Sequence, residues 1–147
     1  MAYVTNEDIE TRLGTERYVD LTDDTGSGSA NTAVVNEARL GAEREVDSYV
    51  ARRYAVPIDV SANTELAALL TTVVLDLIEY RLHGRRPPVP GDVIAKRDAA
   101  IDWLKEVASG AVELPSAVPL GANPATGFGA ASVGDDRLLS RDELSGY

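Results

Sequence analysis

The stretch Thr64–Leu82, TELAALLTTVVLDLIEYRL, decides the fold. Its apolar residues Leu66, Leu69, Leu70, Val73, Val74, Leu75, Leu77 and Ile78 cover most of a helical circumference. A helix apolar nearly all round is buried on several sides, so this one is expected at the centre of a bundle. Thr71, Thr72 and Asp76 interrupt the apolar run, which is too short for a membrane span. His83-Gly84 ends the helix, and Pro87, Pro88 and Pro90 stiffen the turn beyond it.

Each neighbouring segment reads as an amphipathic helix. Upstream, Asn31 or Thr32 caps a helix reaching to about Arg53, with Val35, Ala38, Ala42, Val46, Tyr49 and Val50 spaced by three or four. Its other side carries Glu37, Arg39, Glu43, Arg44, Asp47 and Arg52, and Pro57 closes the segment. Downstream, a helix from about Gly91 to Ser109 stops at Gly110. It shows two adjacent stripes: Ile94, Ile101, Leu104 and Ala108, then Ala100, Trp103 and Val107. Ahead of all three, Thr5 with Asp8 forms a capping-box pattern for a short helix through Ile9 and Leu13 to Gly14. A further turn follows over Thr15–Leu21, and then a loop rich in Asp, Gly and Ser from Thr22 to Ser29. Ala111–Leu114 is the one candidate edge strand.

The last part of the chain is different. From Leu114 onward no helical period survives, and Pro115, Pro119, Gly121, Pro124, Gly127, Gly129 and Gly134 accumulate. Such a segment buries too little apolar surface to fold alone. The expected architecture is therefore all-α: a small bundle of three main helices plus a short N-terminal helix, with an extended C-terminal arm. The expected division is a helical domain over residues 1–114 and an arm over 115–147. An arm of this kind suits an assembly subunit, held by a neighbour, better than it suits an enzyme. The alternative is that it folds back on its own domain.

Composition narrows the function classes. The chain has 147 residues, one domain plus appendages, and no cysteine, so neither a disulfide framework nor a thiolate site is available. The polar start Thr5, Asn6, Glu7, Asp8 does not read as a signal peptide, and synthesis in a cytoplasm is expected. The net charge is −10. Residues 1–30 hold seven acids and two bases, whereas residues 31–109 are nearly balanced with twelve acids and ten bases. A DNA-reading protein normally presents a basic face, and only the Arg85-Arg86 pair hints at one. Two arginines at a helix C-terminus more often answer the macrodipole or a nearby acid.

Catalytic and ligand-binding patterns are weak. His83 is the only histidine, and it stands at a helix end with no thiol to partner. The loop Asp23-Asp24-Thr25-Gly26-Ser27-Gly28 starts like a calcium loop, but the twelfth position from Asp23 is Val34, where a bidentate Glu is required. Gly26-Ser27-Gly28 is not a phosphate loop, because no strand precedes it and no Lys-Ser/Thr follows. No catalytic residue, metal site or cofactor is expected, and the chain is not expected to be an enzyme.

Several segments taken together resemble a phage family. They are the opening Tyr3-Val4-Thr5-Asn6-Glu7-Asp8, the helix-to-loop run from Asp47 to Pro57, the helix end from Asp76 to Arg86, the Ala100–Leu104 segment, and the close from Arg137 to Tyr147 with Ser140-Arg141-Asp142. In this order they resemble the Mu-like prophage DUF1320 group, akin to head–tail connector (adaptor) proteins of long-tailed phages. The resemblance implies a structural subunit of the virion neck that forms a dodecameric ring beneath the portal protein. The ring would lead to a tail-proximal neck protein such as a stopper or tail terminator. DNA would pass through without sequence-specific binding, and no membrane is involved. The competing readings are a helical DNA-binding regulator or packaging-recognition subunit, which needs a basic recognition helix, and a small hydrolase.

Expected sites follow. The subunit interface is assigned to Trp103, Ala100 and Val107, with Glu43, Arg44 and Asp47 setting register between copies. Channel lining is assigned to Asp23 and Asp24, because negative charge concentrates in that part of the chain and repels phosphate. Portal docking is assigned to Arg137, Leu138, Leu139, Arg141, Leu144 and Tyr147, with Ser140 capping a short terminal helix ahead of Glu143.

Overall fold

The computed structural model describes residues 2–121. Five helices follow in order: α1 (Asn6–Leu13), α2 (Thr15–Thr22), α3 (Thr32–Val50), α4 (Thr64–Gly84) and α5 (Gly91–Ser109). The described residues are all-helical apart from one isolated bridge between Tyr54 and Pro119. Helices α3, α4 and α5 pack pairwise, α1 and α2 cover α4, and α2 also touches α3.

Local chemistry sets most of the helix starts. Thr5 and Asp8 close the capping box: the Asp8 N–H donates to Thr5 Oγ1 at 3.2 Å, and the Thr5 N–H donates to Asp8 Oδ2 at 2.8 Å. Asn31 Oδ1 accepts from Ala33 N–H, and Asn63 Oδ1 accepts from both Glu65 and Leu66 N–H groups. Asn63 is thus the cap of α4, and its Nδ2 reaches across to Ser116 Oγ at 3.0 Å. At the other end of α5, Gly110 takes the left-handed conformation, φ +89°, and its N–H returns to Glu106 and Val107 carbonyls. A Cβ there would also overlap the Arg53 guanidinium, so two independent constraints select glycine.

Helix α4 is central, as its composition requires. Leu66, Leu70, Val74, Leu77, Ile78 and Leu82 are all essentially inaccessible to solvent. Each such side chain contributes about 1.5–3 kcal/mol on burial. The remaining layers come from Val35, Ala42, Val46 and Val50 of α3, from Ile101, Leu104 and Val107 of α5, and from Ile9 and Leu21 of the N-terminal helices.

Two boundaries differ from the sequence reading. Helix α3 ends at Val50 rather than Arg53. Residues 51–53 tighten into a turn through bonds from Arg52 N–H to Tyr49 and from Arg53 N–H to Val50, and Tyr54 then pairs with Pro119. The expected edge pairing over Ala111–Leu114 lies elsewhere: Leu114 N–H donates to the Tyr54 hydroxyl at 3.0 Å. The backbone bonds of the bridge run from Ala55 N–H to Val118 C=O and from Leu120 N–H to Arg53 C=O. Residues 115–121, assigned from sequence to the arm, therefore lie beside the segment after α3. These contacts bring the C-terminal ends of α3 and α5 together, so the two helices run in the same direction and α4 opposes both.

Candidate assembly surfaces

The acids on α3 serve an intramolecular anchor. Tyr3 and Val4 are buried between α3 and α4. Tyr3 N–H donates to Glu43 Oε1 at 3.0 Å, and Tyr3 O–H donates to Asp47 Oδ1 at 2.6 Å. Ile58 N–H donates to the same phenol oxygen, and Thr71 Oγ1–H donates to the Tyr3 carbonyl. Arg39 Nη1 donates to the Val4 carbonyl at 3.2 Å. One residue near the chain start thus joins α3, α4 and the loop between them. Burial, and then the bond to Asp47, push the Tyr3 phenol above its ordinary range. Glu43 is only 8% exposed. Glu43 and Asp47 are therefore occupied inside the subunit and are not free to set register with a neighbour. Arg44, the third residue of that assignment, does face solvent.

Apart from Ile94, which stays exposed, both apolar stripes of α5 turn inward. Ala100 and Val107 are buried in the subunit's own core, and Trp103 is half-buried against it. The physical reason is that α5 packs on α3 and α4 at once, which widens the arc it must bury. Ala100 and Val107 are thereby removed from the expected intersubunit surface. The outward face of α5 is instead Ile94, Ala95, Asp98, Ala99 and Asp102. The alternation of small and acidic residues along that face was its sequence signal, masked by the more conspicuous Trp103.

The acidic loop is held from two sides. Desolvation by itself would raise the Asp23 carboxyl. The N–H groups of Gly28, Thr25 and Ser27 and the Thr25 hydroxyl outweigh it and hold the group below the usual carboxylate range. Arg85 donates to Leu21 C=O at 2.7 Å and to Asp24 Oδ2 at 2.5 Å, and Arg86 donates to Asp23 C=O at 2.7 Å. The Arg85-Arg86 pair thus fastens the end of α2 and its loop to the end of α4. Asp24 remains half exposed beside Arg85, and an open depression lined by Thr15, Glu16, Val19, Asp20, Asp23 and Arg86 adjoins it.

A mixed ion cluster ties α1 and α5 to α4. Arg12 Nη2 meets Asp76 Oδ1 at 2.5 Å and Arg12 Nε meets Glu79 Oε2 at 3.5 Å, while Lys96 Nζ lies 3.7 Å from the same Glu79 oxygen. Burial raises the Asp76 carboxyl despite the opposing Arg12 charge. His83, one turn beyond Glu79, is buried, and its Nε2 has no hydrogen-bond partner among the described residues. The expected docking residues Arg137, Leu138, Leu139, Arg141, Leu144 and Tyr147 lie outside the described residues, as does Ser140.

Among the described residues no helix is long and apolar enough to cross a membrane. No curated protein matches the chain. A family model described as Bacteriophage Mu, Gp36 matches residues 3–131, from the anchoring Tyr3 through the entire helical body. With that much of the chain matched in one piece, the protein belongs to the bacteriophage Mu Gp36 family and is a phage protein.

Proposed function

We propose that this chain is a structural subunit of the virion neck, a head–tail connector (adaptor) of the kind found in the DUF1320 group. It would form a dodecameric ring between the portal protein and a tail-proximal stopper or tail terminator. The observation that carries this reading is the distribution of polar side chains in a phage-family helical body. Glu43, Asp47, Arg85, Arg86, Arg12 and Glu79 all serve contacts between elements of the same subunit. What remains outward is extended helix surface, suited to association rather than bond-making. In this reading the role is non-enzymatic and no cofactor is assigned.

In this reading DNA passes through the ring. The acids of residues 1–30, with Asp23 and Asp24 foremost, rim the lumen and keep phosphate from adhering. The C-terminal residues Arg137, Leu138, Leu139, Arg141, Leu144 and Tyr147 dock on the portal. A DNA-binding regulator is disfavoured because the most basic pair, Arg85-Arg86, is engaged with the α2 end and its loop.

The test is a phage carrying a deletion of this gene. Filled heads and separate tails are expected, with joining restored by the full-length protein and not by a chain lacking residues 132–147. Joined, infectious virions without the protein would refute the connector role.

A further inference from the structure

Outward helix faces on α3 and α5 differ in charge. A third, on the first half of α4, is formed by Leu69, 38% exposed, with Glu65, Ala68 and Thr72. On α3 the outward stripe contains Leu40, 42% exposed, followed one turn later by Arg44. Arg44 has no ion-pair or hydrogen-bond partner among the described residues, and Arg52, in the turn after α3, is a second solvent-exposed cation. Glu37 is the acid of this face. On α5 the outward stripe contains Ile94, 41% exposed, followed one turn later by Asp98. Ala95 and Ala99 flank it with little bulk, and Asp92, Asp102 and Glu106 add acids, Asp92 lying 3.9 Å from Lys96 and Asp102 accepting from Lys105 at 2.9 Å. Asp98 Oδ1 meets Arg97 at 2.9 Å, and its other oxygen has no partner among the described residues.

We infer that the α3 face of one copy docks on the α5 face of a second copy, with Leu40 against Ile94 and Arg44 against Asp98. This rests on the ring reading above and names its lateral contact. Charge selects the pairing. Placing α5 on α5 opposes acid to acid, whereas α3 on α5 sets the unpaired Arg44 against Asp98. Such a contact uses different surfaces on the two partners, so it propagates head to tail and closes into a ring when the rotation permits. Direction agrees as well. Copies related by an axis along the bundle keep their helices parallel. α3 and α5 run the same way within the subunit, so Leu40→Arg44 and Ile94→Asp98 present apolar then charged residues in the same sense. The small residues Ala95 and Ala99 let the opposing helix approach closely.

The chain has no cysteine, which makes the test clean. Full-length protein carrying both Leu40→Cys and Ile94→Cys is oxidised, free in solution and in purified virions, and run on a non-reducing gel. A ladder of dimers, trimers and larger species is expected, and each single variant should give none. Asp98→Arg should slow ladder formation at least tenfold, and adding Arg44→Glu to it should restore the rate. Self-linking of the Leu40→Cys variant alone would overturn the inference in favour of a two-fold contact. So would a virion that contains the protein yet gives no ladder, which leaves the connector reading standing. Absence of the protein from virions would instead overturn the connector reading itself.

Discussion

Glu43 and Asp47 lie beneath the first residues of the chain, whereas Asp23 and Asp24 stand in a loop at the opposite end of α4. The sequence reading turned both pairs outward, the first from a helix toward a neighbouring copy and the second from a loop toward a channel. In the fold the first pair accepts bonds from a buried N–H and a phenol, and the second organises its own loop and meets Arg85. The contrast teaches that a carboxylate's role here is set by what the chain brings to it from far away. Glu43 and Tyr3 are 40 positions apart. Asp23 and Gly28 are five apart, so the loop holds itself locally.

That contrast makes graded predictions. The largest effect is expected for Glu43→Ala, which leaves the Tyr3 N–H buried without an acceptor. It should cost about 2 kcal/mol of global stability, measured by urea unfolding. A loss below about 0.5 kcal/mol would show that the N-terminal anchor is not stabilising, since that is the ordinary scatter of surface changes. Tyr3→Phe comes next at about 1–2 kcal/mol, because both Asp47 and Ile58 N–H lose their partner while the ring still packs. Arg85→Ala should cost about 1 kcal/mol, since its charge pair is partly solvated but its bond to Leu21 C=O caps α2. Amide exchange in α2 should accelerate while α3 and α5 stay protected; a uniform acceleration would contradict the local role assigned to it.

The smallest effect belongs to Asp23→Ala. No change in global unfolding is expected, only faster exchange of the Gly28 and Thr25 amides. The pH dependence has a definite sign. The folded carboxyl sits below its ordinary value of 3.8, so the unfolded chain binds the proton more readily. The loop's protection should be complete above about pH 4 and fall away as pH drops further, in wild type and not in Asp23→Ala. Loop protection that rises on acidification would contradict the bonding described.

The central position of α4 could be read directly from Thr64–Leu82, because an all-round apolar helix has no alternative to burial. The caps at Thr5 and Asn31 and the glycine stop at Gly110 were equally legible, since these bonds span only a few residues. The extra stripe on α5 was legible as a stripe but not in its destination. Trp103, Ala100 and Val107 are apolar whether they meet a second copy or two helices of the same subunit, and only the packing of α5 against both α3 and α4 decides that. His83 likewise reads as a helix-end residue and turns out buried.

The sequence by itself determined the helical class, the order and approximate limits of the helices, and the concentration of acid near the start, because periodicity, capping and composition act over a turn or two of chain. Tertiary structure alone decided which charges are consumed by the subunit and which remain outward. It placed Tyr3 on Glu43 and Asp47, set Arg85 and Arg86 on the α2 end, and turned Leu40 of α3 and Ile94 of α5 outward. The physical reason is that a charged side chain's free energy depends on its desolvation and on partners many residues distant, and neither is encoded in its immediate neighbours.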